Sequence, residues 1–82
     1  MDWLIKYAEF VDEWLENLTT HQLKSVAKEL RLLELSGNKL KLPHSKALGD
    51  KLFELRERKF GYRLYYTFDH GKVVLLLYAG DK

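Results

Sequence analysis

Residues 52 to 78 hold three short runs rich in apolar, aromatic and branched side chains, set apart by the short links around Lys59-Phe60-Gly61 and Asp69-His70-Gly71. Links this short, each ending in glycine, join antiparallel neighbours, because a parallel crossover needs a dozen or more residues. The runs 52–58, 62–68 and 73–78 are therefore expected to form an antiparallel meander. Side chains alternate across a strand, so one face of the meander is apolar and the rest of the chain must cover it.

Residues 8–36 supply the cover. Phe10, Val11, Trp14, Leu15 and Leu18 recur at helical spacing, with Glu9, Asp12, Glu13 and Glu16 off the stripe. Thr19 with Gln22 three residues on is a capping-box pattern that starts a second helix. That helix sets Leu23, Val26, Ala27, Leu30 and Leu33 on one face and Lys24, Lys28 and Arg31 on another, and Gly37 is placed to end it. The short link between the two predicts an antiparallel helix pair. Trp3 to Tyr7 reads either as a first strand or as the lead-in to the first helix. The expected class is α+β: two antiparallel helices packed on one face of a small, mainly antiparallel sheet of three to four strands, in a single domain over 1–82.

A core for 82 residues is necessarily thin, and the 2 Trp, 5 Tyr and 4 Phe are what can close it. There is no cysteine, which removes disulfides and thiolate metal sites and suits a cytoplasmic protein. His21, His44 and His70 lack metal-ligand spacing, and Leu48-Gly49-Asp50-Lys51 lacks the spacing of a phosphate-binding glycine loop. No metal and no cofactor are expected. No apolar run is long enough for a membrane span, and the N-terminus lacks a signal-peptide pattern. Charge is uneven: residues 1–36 carry 4 Lys/Arg against 7 Asp/Glu, and residues 37–82 carry 10 against 5. A basic second half suits an anionic partner on one face; the plainer alternative is a solvated charged surface.

Sorting the strands by face sharpens this. In 62–68, Tyr62, Leu64, Tyr66 and Phe68 share the core side, leaving Arg63, Tyr65 and Thr67 outside. In 52–58, Phe53 and Leu55 suit the core, leaving Leu52, Glu54, Arg56 and Arg58. Pairing through the 59–61 loop gathers Arg56, Arg58 and Arg63 on the face that the helices do not cover. Guanidinium groups are planar, permanently charged forks that match phosphate oxygens, and Tyr65 offers a ring for base stacking. The simpler alternative is cross-strand pairing of these arginines with Glu54 and Glu57 on a solvated face.

Several stretches resemble one protein family. Leu42-Pro43-His44-Ser45-Lys46-Ala47-Leu48-Gly49-Asp50-Lys51-Leu52-Phe53-Glu54-Leu55-Arg56 is similar to the segment that leads into an L-Y-E-L-R strand in phage Gp49-like, HigB-type toxins. Gly61-Tyr62-Arg63-Leu64-Tyr65-Tyr66 resembles the G-Y-R strand of RelE relatives. Leu75-Leu76-Leu77-Tyr78-Ala79-Gly80-Asp81-Lys82 resembles the ending of the addiction module killer protein branch. Phe10-Val11-Asp12-Glu13-Trp14-Leu15 is similar to that branch's F-x-x-W-L helix, and Gly37-Asn38 to its helix end. The resemblance, to the RelE/ParE toxin superfamily, runs in order over nearly the whole chain.

The resemblance implies the toxin of a type II toxin–antitoxin system. Such a protein would be a cytoplasmic, metal-independent endoribonuclease (an mRNA interferase) that cuts mRNA in the ribosomal decoding site, inhibits translation and arrests growth. Its partners would be the ribosome, mRNA and a silencing helix-turn-helix antitoxin of HigA-like type. It implies catalytic roles for Arg63, Arg56 and Tyr65, and RNA contacts from Arg58, Lys82, Lys46 and His44. Two departures stand out. Glu54 occupies a place where RelE itself is basic, although the L-Y-E-L-R relatives also carry Glu there. The sequence ends at Lys82, where relatives continue into a tail that can carry a catalytic Tyr or His, which would leave acid–base work to Tyr65, to His44 or to no residue. Two other readings stay open: a ParE-like gyrase inhibitor that binds without RNA chemistry, and a shortened, inactive antitoxin-binding module.

Overall fold

The computed structural model describes residues 2–81. In chain order these form β1 (Leu4–Tyr7), α1 (Glu9–Glu16), α2 (Thr20–Ser36), a 3-10 turn (Gly37–Lys39), β2 (Ser45–Gly49), β3 (Leu52–Glu57), β4 (Tyr62–Asp69) and β5 (Val73–Asp81). The strands make one sheet in the order β1-β5-β4-β3-β2. Strands β2 to β5 are antiparallel neighbours, so the expected meander is present; β1 joins it parallel to β5, from Leu4 opposite Val73 to Tyr7 opposite Leu76. The sheet thus has five strands rather than three or four.

The additional edge strand, β2, has no alternating pattern. It is reached through Asp50 and Lys51, both at positive φ (51° and 65°), a tight-turn geometry more often supplied by Asn-Gly. What fixes it is a buried hydroxyl pair: Ser45 is hydrogen-bonded to Tyr66 across β3. Burial pushes the Tyr66 hydroxyl above its ordinary pKa, partly offset by the bond to Ser45.

One face of the sheet presents Ile5, Leu55, Tyr62, Leu64, Tyr66, Val74, Leu76 and Ala79, and Val11 of α1 with Val26, Leu30 and Leu33 of α2 close over it. Alternation alone would put Ala79 on the opposite face from Val74 and Leu76. A bulge resolves this: the β4–β5 ladder steps from Tyr65 opposite Tyr78 to Tyr66 opposite Leu76, leaving Leu77 unpaired and reversing the phase of β5. On α1, Val11 is fully buried while Phe10, on the same predicted stripe, is half exposed.

The helix ends follow their side chains. Thr19 accepts from the Gln22 N–H while the Gln22 side chain accepts from the Thr19 N–H at 2.8 Å, the expected capping box. Gly37 ends α2 at φ 51° and ψ −123°. A Cβ there would lie 2.0 Å from Cε2 of Trp3, so both conformation and space demand glycine. No helix of the described residues is long and apolar enough to cross a membrane.

Candidate functional site

The face of the sheet away from the helices is built by register. Glu54 lies opposite Lys46 on one side and Tyr65 on the other, and Tyr65 lies opposite Tyr78, so these four form one row across β2 to β5. In the next row Arg56 is opposite Arg63, and Arg63 is opposite Gly80, which has no side chain to crowd it. Two like charges in direct cross-strand contact repel. Glu54 removes that repulsion: its Oε1 accepts from Arg56 Nε at 2.8 Å and from Arg63 Nη1 at 2.6 Å. The guanidinium groups roof the carboxylate, which is only 6% exposed although it sits on the open face.

Burial opposes the charge on Glu54. The hydrogen bond from Arg56, the charges of Arg63 and Arg56 and the hydrogen bond from Arg63 outweigh it and hold the carboxyl below its ordinary pKa. Charge-assisted bonds of this kind contribute about 1.5–3 kcal/mol each, which is what makes a buried carboxylate tolerable here.

Arg56 and Arg63 line a cleft of about 230 Å³ with Arg58, Pro43, Glu57 and Gly61. Arg56 and Arg63 therefore meet as strand alternation predicts, whereas β3 stops at Glu57 and Arg58 reaches the cleft from beyond the strand's end. Arg58 stands in the β3–β4 turn, exposed and with no ion pair among the described residues. That turn is shaped from behind by Glu57, which is 2% exposed on the helix side. Its carboxylate accepts the N–H groups of Lys59 at 2.8 Å and Phe60 at 3.0 Å, and the Ser25 hydroxyl of α2 at 2.5 Å. Burial works against this charge too, yet the bonds from Ser25, Phe60, Tyr62 and Lys59 keep its pKa low. The alternative of arginine pairing is thus half right: Glu54 pairs with them, and Glu57, of opposite strand parity, caps the hairpin.

The remaining sequence candidates scatter more widely. Tyr65 and Lys46 share the open face with the arginines. The His44 ring turns to α2, where Nδ1 is 2.9 Å from Glu29, while its carbonyl oxygen accepts the Arg56 N–H. Lys82 lies outside the described residues. Among the described residues no three His, Cys, Asp or Glu side chains gather as metal ligands would. The sequence reading passed over Tyr78. The run Leu75-Leu76-Leu77-Tyr78 shows no alternation from which its outward direction could be read, and only the bulge at Leu77 reveals it.

Two planar guanidinium forks thus converge on one carboxylate oxygen, a geometry that also matches the oxygens of a tetrahedral anion. The fold that carries this pair is that of RelE chains. Isolated Escherichia coli RelE toxin superposes with a TM-score of 0.77 at 21% identity, over 96% of this chain and 83% of that one. The intact E. coli RelBE toxin–antitoxin complex gives 0.76 at 17% identity, covering 98% and 96%. The RelBE2 toxin–antitoxin complex from Mycobacterium tuberculosis gives 0.73 at 20% identity, covering 100% of both chains. The model of the family described as phage derived protein Gp49-like (DUF891) matches residues 13–82, and the chain belongs to that family. No curated protein matches its sequence significantly.

Proposed function

We propose that this chain is the toxin of a type II toxin–antitoxin pair and acts as a metal-independent endoribonuclease on ribosome-bound mRNA. The observation that carries the reading is the convergence of Arg56 and Arg63 on one oxygen, with Arg58 at the rim of the same cleft. Membership of the Gp49-like family and the fold shared with RelE, which has been solved alone and with its antitoxin, support it further.

In this reading the scissile phosphate displaces Glu54 from the two guanidinium groups. The ribose 2′-oxygen attacks phosphorus, the 5′-oxygen leaves, and Arg63 and Arg56 stabilise the extra negative charge of the transition state. Preorganised donors of that kind supply a large share of such a rate enhancement. Tyr65, on the same face, serves as the proton-transfer group. Arg58, Lys46, His44 and Lys82 hold neighbouring phosphates. A helix-turn-helix antitoxin of HigA-like type silences the toxin in the cytoplasm.

The test is to map mRNA 5′ ends after brief induction, beside an Arg63→Ala control. In-frame cuts within translated messages that vanish in the control are expected. Growth arrest with intact mRNA would instead indicate gyrase inhibition, and the absence of both effects an antitoxin-binding module.

A further inference from the structure

Tyr65 and Tyr78 face each other across β4 and β5 with ring centroids 6.3 Å apart. Tyr78 also stacks on Phe10 of α1, at 5.0 Å with the ring planes within 4°. Phe10 and Tyr78 are 50% and 54% exposed, so this contact does little to close the core. The bulge at Leu77 aligns Tyr78 with Tyr65 on the open face; without it, Tyr78 would take the core-facing phase of Val74 and Leu76. The ring then lies along β5 over Gly80, where an added Cβ would stand 3.7 Å from Cε2 and 4.0 Å from the hydroxyl oxygen of Tyr78. Gly80 is the cross-strand partner of Arg63, so the tyrosine leans into the arginine row. Along β4, Tyr65 follows Arg63 by two residues, roughly 7 Å.

We propose that Phe10, Tyr78 and Tyr65 form a stacking platform for unpaired bases of a single-stranded RNA whose backbone is held by Arg56, Arg58 and Arg63. This deepens the ribonuclease reading and rests on it. The choice of occupant follows from charge. The open face carries Lys46, Arg56 and Arg63, with Arg58 in the adjoining turn, against the buried carboxylate of Glu54 and the exposed one of Asp69 at the far end of β4, and that excess around the cleft suits a polyanion. Every base has a π face, so a row of rings beside phosphate-binding arginines grips a strand with little regard to its sequence. The platform thereby sets where the strand lies, leaving the choice of bond to the arginine cleft.

The test uses a 5′-fluorescein hexauridylate with 2′-O-methyl riboses, which cannot be cleaved through the 2′-oxygen, titrated against the full chain by anisotropy at several salt concentrations. Phe10→Ala and Tyr78→Ala should each weaken binding about tenfold without changing the salt slope, while Tyr78→Phe restores most of the loss. Arg63→Ala should flatten the slope by about 0.7. A probe with one abasic position should bind wild type less tightly but add little to the Tyr78→Ala defect. Binding that falls with Arg63→Ala and ignores both aromatic substitutions overturns the platform while leaving RNA as the ligand, and would assign the exposed rings to a protein segment. A folded wild-type chain that binds no probe at all overturns the platform, while the mapping of mRNA 5′ ends separately decides the ribonuclease reading.

Discussion

Arg56 and Arg63 are direct partners across the β3–β4 ladder, and both donate to one oxygen of Glu54, at 2.8 and 2.6 Å. Glu54 neutralises the pair and ties the two guanidinium groups to a single acceptor on the open face.

Glu54→Gln keeps the shape and removes the charge. Its urea midpoint should fall by the equivalent of about 1–3 kcal/mol at pH 7, since two charge-assisted bonds weaken and two arginines are left opposed. Its affinity for a non-cleavable oligonucleotide should rise, because the internal competitor is gone. Unchanged stability would show that the carboxylate does not hold the arginines together in solution.

Acid should unfold the protein through the same carboxylates. Glu54 and Glu57 both have folded pKa values below the ordinary 4.5. Their contribution to stability is therefore complete above that value and is lost as pH falls through the folded values, so the decline belongs to the range below about 4.5. Glu57→Gln should cost about 2–4 kcal/mol at pH 7, because it leaves the backbone donors of the hairpin with a weaker acceptor, and the cost should shrink as pH falls below about 4.5 toward pH 3. A stability difference from wild type that stays constant between these pH values would contradict the assignment.

Gly37→Ala should be the most damaging small substitution in the chain. The methyl group would overlap the Trp3 indole, and the backbone there is one that glycine alone adopts readily. A loss of about 3 kcal/mol or more is expected in thermal or urea unfolding. A variant within about 0.5 kcal/mol of wild type would mean that Trp3 packs elsewhere.

Local patterning carried much of this architecture. The three meander strands, the Thr19 capping box, the glycine ending α2 and the meeting of Arg56 with Arg63 all depend on short-range spacing and alternation, which a sequence displays directly. The family resemblance rested on motifs in those same segments, and the Gp49-like match over residues 13–82 bears it out. Features set by distant contacts stayed hidden. Ser45 is buried because Tyr66 supplies a hydroxyl from two strands away, so β2 had no apolar signature of its own. Trp3 to Tyr7 was undecided between strand and helix until β5 offered it a parallel partner. Tyr78 and Ala79 could not be assigned to faces because the bulge that sorts them leaves no mark in a run of leucines.

Near the two ends of the described chain, β1 and β5 run side by side, and that pairing orders events during synthesis. The arginine hairpin is local and can form early, whereas contacts between distant segments come late because loop closure precedes any reward from them. Until β5 has emerged from the exit tunnel, Ile5 lacks the strand it packs beside, and Tyr78 has not yet been laid opposite Tyr65. A nascent copy therefore carries its arginine hairpin before β5 completes the face on which the arginines lie.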